Sequence, residues 1–279
     1  MGEHLALPHH ERIEDPTFRS AVNLIDSGDV SGLAFLLKEK PSLIRQRVLF
    51  EGGNYFGNPG LLEFIAENPI RHGTLPANIV EVAVVLLEAG PERSAVNETL
   101  GLVASGCVPR ECKVQLPLLE VLCRYGAVPN SALEAAIVHG EFEAVHQLIR
   151  LGAKPGLSVV AGIGDSGEFY RQLPTADAAE RHSALALAAQ FGHAEIVRAL
   201  LDAGEDPDRY NPKHCHSHCT PLHQAAFAGH LDTVRLLVER GAKLDIRDTI
   251  WNGTAADWAE HAGQTTVERF LRGQSSARD

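Results

Sequence analysis

The chain has 279 residues, with 44% hydrophobic and 22% charged side chains, a balance that speaks for a folded protein and against a disordered one. A formal charge of −11 without any basic stripe speaks against a nucleic-acid-binding or anionic-membrane surface, because phosphate recognition relies on clustered Lys and Arg. No run approaches the ~20 apolar residues of a membrane span, and the start MGEHLALPHHERIED lacks the basic and then apolar pattern of a secretory signal. Five cysteines do not make a disulfide framework, so a reducing cytoplasm is the expected compartment.

Aromatic residues make up only 6% of the chain, beside abundant Ala, Leu and Gly, a composition suited to short helices packed closely. In chain order, residues 1–16 read as an N-terminal arm. From Arg19 to Pro41, RSAVNLIDSGDVSGLAFLLKEKP sets Gly28 between two apolar segments, the second carrying Leu36 and Leu37. Leu61 to Gly90 repeats the arrangement with a longer, proline-containing connection, and Glu98 to Ala127 is a further divergent copy. Four segments then align without gaps, from Ser131, Ser183, Thr220 and Thr254, on Gly140, Gly192, Gly229 and Gly263.

Between the first two of these, LSVVAGIGDSGEFYRQL contains Gly162-Ile163-Gly164-Asp165-Ser166-Gly167, a match to the dinucleotide pattern GxGxxG. That pattern needs a preceding strand and a long following helix, and Pro174 comes too soon for one. Setting Gly164 against the other central glycines makes the segment a degenerate repeat, with Leu157, Val160 and Phe169 on its packing positions.

The unit from Thr220 shows the physics of one repeat. Thr220 caps a helix whose first turn holds Pro221, where a missing N–H costs nothing. Leu222, Ala225 and Ala226 form a narrow apolar face, Gly229 ends the helix, and Val234, Leu236 and Leu237 face inward from a second helix ended by Gly241. Two short helices cannot bury such a face alone, so neighbouring units must stack.

TPLHQAAFAGHLDTVRLLVERGAKLDIRD resembles the ankyrin consensus nearly position for position. The resemblance implies an all-α ankyrin-repeat solenoid of about seven to eight helix-turn-helix units with short hairpin-like fingers. Residues 17–129 would be divergent N-terminal repeats, 130–273 the C-terminal repeats with the degenerate unit at 155–180, and 274–279 a flexible tail. Asp257, Glu260, Arg269 and Arg272 give the last repeat the polar character of a cap. The arrangement is also similar to bacterial multi-repeat ankyrin proteins of undefined role. The family pattern further implies that His223 bonds backbone groups of the adjoining finger, with Asp257 in the equivalent place in the last repeat.

The function implied is a scaffold or adaptor, monomeric and non-enzymatic, that holds a protein or peptide on its concave face and fingers. No GxSxG, HExxH, P-loop or carboxylate pair on a rigid scaffold is visible in the sequence. The expected contact residues are Phe191, Gln224, Phe227, Trp258 and His261 on the first helices, with Arg209, Tyr210, Asp248 and Trp251 in successive fingers; aromatics and Arg dominate interface hot spots.

The finger Asn211 to Cys219 carries a small insertion, since the step from Ser183 to Thr220 is longer than that from Thr220 to Thr254. It supports an alternative, a metal-binding protein or metal-dependent enzyme, with Cys215, His216, His218 and Cys219 as ligands. Zinc needs a tetrahedron of ligands, adjacent residues point apart, and no CxxC or second cluster accompanies them. The expectation is therefore no cofactor, with zinc as the competing candidate. A third reading is self-association along the open ends of the array.

Overall fold

The computed structural model describes residues 12–50 and 56–276. Among these residues every named element is helical, and extended pairing is confined to the isolated bridges Arg47–Gly60 and Arg247–Thr254. The all-α class expected from the sequence is the class observed.

Two compact units divide after Lys154. The first contains α1 (Pro16–Ser27), α2 (Val30–Glu39), α3 (Ile79–Glu88), α4 (Arg93–Ala104), α5 (Cys107–Glu111), α6 (Gln115–Arg124), α7 (Leu133–Val138) and α8 (Phe142–Arg150). The division lies later than the boundary at 129 because α7 packs on α4 and α8 on α6, which ties the repeat from Ser131 to the first unit. The expected N-terminal arm is also shorter at its end. Ile13 is buried, its carbonyl accepts from Arg19 Nε at 2.7 Å, and Asp15 caps α1 through the N–H groups of Thr17 and Phe18. Residues 1–11 of that arm lie outside the described residues.

In the split repeat the first helix shrinks to a 3-10 turn, Leu62–Ala66. Its long connection is braced by buried charge. Glu67 Oε2 accepts the N–H groups of Arg71 and His72 at 2.9 Å and of Gly73 at 3.2 Å. The Arg71 guanidinium, almost wholly buried, donates to both oxygens of Asp26 at 2.9 and 2.8 Å and lies over the Phe64 ring.

The second unit contains α9 (Leu157–Ile163), α10 (Ser166–Gln172), α11 (Ala178–Gln190), α12 (Ala194–Asp202), α13 (Pro221–Ala228), α14 (Leu231–Glu239), α15 (Ala255–His261) and α16 (Thr265–Ser276). The segment carrying GxGxxG forms the antiparallel pair α9 and α10 around Gly164, and Leu157, Val160 and Phe169 are buried as the repeat register requires. The first helices pack in series, α9 on α11, α11 on α13 and α13 on α15, while α14 lies between α12 and α16. Ala184, Ala188, Ala189, Ala225, Ala226 and Ala259 are fully buried along this seam, where larger side chains would hold the backbones apart. Leu185, Leu200, Leu222 and Leu237 fill the spaces between layers, each worth roughly 1.5–3 kcal/mol on complete burial.

A lock repeats between successive pairs. His230 Nε2 donates to the carbonyl of Gln190 at 3.1 Å, and His193 Nε2 to that of Gly162 at 3.0 Å. Each imidazole lies against the central glycine of the preceding repeat. At Gly192 (φ 78°) a Cβ would come within 2.6 Å of His230 Nδ1. Glycine there serves both the left-handed turn and the close approach. The expected flexible tail begins too early at 274, since α16 continues through Ser276; residues 277–279 lie outside the described residues.

Candidate protein-interaction surface

Two fingers of the second unit, between α12 and α13 and between α14 and α15, carry most of the candidate residues. Their shape follows from polar residues turned inward. Asp248 is only 2% exposed, and its carboxylate accepts the N–H groups of Ile250 (2.9 Å), Trp251 (2.7 Å) and Gly253 (2.8 Å) and the indole N–H of Trp258 (3.0 Å). Burial alone would raise its pKa, but these four donors outweigh burial and hold the carboxyl well below the usual range. A short Asp side chain that gathers the N–H groups of the next turn is the usual Asx arrangement. Here it also fixes a tryptophan from the following helix.

His223 behaves as the family resemblance implies. Its Nδ1 accepts from the backbone N–H of Thr220 (3.3 Å) and lies 2.8 Å from the Thr220 hydroxyl, while Nε2 donates to the carbonyl of Gly253 in the next finger (3.2 Å). Burial lowers its pKa, so the imidazole is neutral, and the bonding pattern assigns the Nε2–H tautomer. Asp257 takes the equivalent place in the last repeat, accepting from the N–H and hydroxyl of Thr254 at 2.8 Å each.

The fingers are joined to each other by Tyr210, whose hydroxyl donates to the carbonyl of Arg247 at 2.6 Å, and by Thr249, whose N–H donates to the carbonyl of His218 at 2.9 Å. Over this frame lies a cluster of rings. Trp258 meets Trp251 (5.6 Å between centroids), His218 (5.6 Å), His223 (5.4 Å) and Phe227 (5.9 Å), and His218 meets Trp251 edge to face at 5.4 Å. Trp251 is 69% exposed, Phe227 46% and Tyr210 38%, whereas Trp258 is half-buried beneath them. Arg209 and His261 are exposed and Phe191 is half-buried at the end of α11.

Two residues expected on the contact surface are not on it. Gln224 is buried and donates to Cys219 Sγ at 3.3 Å, and Asp248 is enclosed by its four donors. Both hold the surface from below, because a polar side chain in a repeat can saturate buried backbone or thiol groups as readily as face water.

Cys215 and Cys219 are buried under the inserted finger. Cys219 Sγ accepts from Asn211 and Gln224, and its thiol donates to the carbonyl of His216 at 3.3 Å. Burial pushes the Cys219 thiol up to about 12. A metal would have to displace that proton and those contacts, since the thiolate is the ligand. Cys215, His216, His218 and Cys219 do not come together as a set of ligand atoms within 4.8 Å. Among the described residues that spacing is met by Asp26, Glu67 and His72 of the first unit. There the Arg71 guanidinium already supplies the positive charge.

A feature that the sequence motifs do not reveal sits in the first unit. A cavity of about 560 Å³ is bordered by Arg47, Glu63, Asn97, Glu98, Ser105 and Ser131 among others. Burial, with a hydrogen bond to Glu98, raises the Glu63 carboxyl to about 8, while the same bond and Arg47 lower Glu98. Arg47 lies 2.9 Å from Glu98 and 3.4 Å from Glu63. The burial favours a protonated Glu63 beside an ionised Glu98, a carboxyl pair that the sequence motifs did not show. The acidic residue inside the apolar run LLEFIA was the available signal.

A model of ankyrin repeats in three copies matches residues 157–248, a stretch that takes in the pair around Gly164 and both fingers up to Asp248. The chain belongs to the ankyrin-repeat family. It is 30% identical over 147 residues to cyclin-dependent kinase 4 inhibitor B of Homo sapiens, covering 53% of this chain and 89% of that protein. It is 30% identical over 140 residues to cyclin-dependent kinase inhibitor 2A of Monodelphis domestica, covering 50% and 68%. It is 32% identical over 103 residues to the ankyrin repeat and SAM domain-containing protein 6 of Mus musculus, covering 37% of this chain and 11% of that protein. These three are mammalian and lend no support to the bacterial likeness. Among the described residues no helix is long and apolar enough to cross a membrane.

Proposed function

We propose that the chain is a protein-interaction module whose partner rests on Tyr210, Phe227 and Trp251, with Trp258 and His218 as the floor. The observation that carries this reading is the ring cluster itself. Large apolar rings stand exposed while a buried carboxylate and an inter-finger hydrogen bond fix their positions. Pre-placed aromatics lose little conformational entropy on binding, which is the property of an interface hot spot. Two of the relatives are named as kinase inhibitors, a function exercised on another protein, which fits the same kind of role. In this reading the surface binds without catalysis, and the cysteines of the inserted finger are packing groups rather than zinc ligands.

The test is affinity capture from a lysate of the native organism with the full chain and with a Phe227→Ala, Trp251→Ala variant, both checked for unchanged melting. Both side chains are exposed, so the variant should fold. A partner retained by the wild type and lost by the variant supports the surface. Equal capture by both removes it. Zinc bound in stoichiometric amount to the purified chain would instead favour the metal reading of the finger.

A further inference from the structure

Between Asp208 and Asp232 the sequence has no Asp or Glu, in a chain with 36 acidic residues. Folding makes this gap a surface. Arg209 and Lys213 are exposed on the first finger, and neither has an ion-pair partner among the described residues. Asp208, at the edge of the gap, is neutralised by Lys243 at 3.3 Å. On the second finger Arg247 is exposed and donates through one guanidinium nitrogen to the carbonyl of Asn252 at 2.7 Å; it acts on Asp257 of the next helix at longer range but forms no ion pair among the described residues. Asp248 beside it spends its charge inward on four N–H donors. Asp206 and Asp245, the exposed carboxylates of the same fingers, precede Arg209 and Arg247 in sequence and lie outside the gap. The Tyr210 hydroxyl on the Arg247 carbonyl brings the two cationic segments side by side, next to Trp251.

From this placement we infer that the surface receives an extended acidic segment of a protein partner. Its carboxylates meet Arg209, Lys213 and Arg247, and its apolar side chains lie on Trp251 and Phe227. The inference rests on the interaction-surface reading above and adds the chemistry of the occupant. Carboxylates fit better than a phosphate. Arg209 and Lys213 belong to one finger and Arg247 to the next, an order that suits successive carboxylates of an extended segment, whereas a phosphate wants donors converging on one point. The chain's overall charge of −11 opposes an acidic partner at long range, but screening over about 8 Å at physiological salt leaves the decision to local cations.

The protein supplies its own probe, because its two tryptophans, Trp251 and Trp258, are both in this cluster. The full chain is titrated, with tryptophan emission as the readout, against three short synthetic peptides that alternate leucine with glutamate, glutamine or lysine. Inorganic phosphate serves as a competitor. The glutamate peptide is expected to change the emission saturably and to bind at least about tenfold more tightly than the other two. Reversal of charge in an Arg209→Glu, Lys213→Glu variant is expected to remove most of that advantage, since charges at an interface act chiefly on partner choice. Neither side chain makes a hydrogen bond or ion pair among the described residues, so the variant should fold; because Arg209 acts on the buried His182, its melting is compared with the wild type above about pH 7, where that imidazole is neutral. A lysine peptide that binds as well, a variant that binds unchanged, or displacement by phosphate at low concentration overturns the inference. A glutamine peptide that binds equally leaves the interaction surface standing and removes its acidic preference. No change in emission with any peptide removes both.

Discussion

Trp258 gives its indole N–H to Asp248 across 3.0 Å, from a helix in one repeat to the finger that precedes it. The same carboxylate takes three backbone N–H groups, so the finger's turn and the floor of the aromatic surface depend on one side chain.

Replacing that side chain should therefore cost both stability and order. Asp248→Asn places amide hydrogens against donors and is expected to destabilise the chain by about 1–3 kcal/mol, with a change in tryptophan emission in the folded state. The sign with pH follows from the depressed carboxyl. Its contribution is complete above the unfolded value of about 4 and is lost as pH falls further. Denaturant melts of wild type and variant should thus converge in acid.

Three histidines act in a different range. Burial lowers His182, His223 and His230, so the unfolded chain binds their protons more readily than the folded one. Stability is expected to fall as pH drops below about 6.5 and to level off once the folded values are passed. A His230→Gln variant, which can still donate to Gln190, should show a shallower loss in melting temperature between neutral and mildly acidic buffer.

Glu63 works in the opposite sense. With a folded value of about 8, it holds a proton that the unfolded chain releases near 4.3. Stability from this group is present at low pH and is lost as pH rises through about 8. Glu63→Gln, which keeps the neutral shape, should flatten the stability profile measured by urea unfolding between about pH 4.3 and pH 8. An unchanged slope would show that Glu98 or another group takes the proton.

The lock between repeats can be separated from glycine's backbone role by comparing two positions. At Gly204 (φ 93°) no atom lies within 4 Å of an added Cβ, whereas at Gly192 (φ 78°) the His230 ring does. Gly204→Ala is expected to cost about 1–2 kcal/mol for its left-handed backbone alone. Gly192→Ala should cost about 1–3 kcal/mol more, from the displaced imidazole. Equal losses in thermal unfolding would mean that His230 moves aside freely.

The repeats were legible because their determinants are local. The central glycines, the Ala and Leu faces and the Thr220 cap lie within one unit, and even the worn pair around Gly164 could be placed by register. Gln224 and Asp248 were misplaced on the surface because polarity alone does not tell a side chain facing water from one saturating a buried group; their bonds to Cys219 and Trp258 need the fold. Glu63 and Glu98 belong to different repeats, so no spacing rule joins them. The boundary at Lys154 was hidden for a related reason, since the packing of α7 on α4 outweighs the change from weak to strong consensus at 130.

Tyr210 and Arg247, and likewise His218 and Thr249, come from different repeats, yet each pair is a single hydrogen bond. The heritable unit of this surface is thus two adjacent repeats with their order kept. Duplicating, deleting or exchanging one repeat, the usual way such arrays change length, would preserve the stack and dismantle the face.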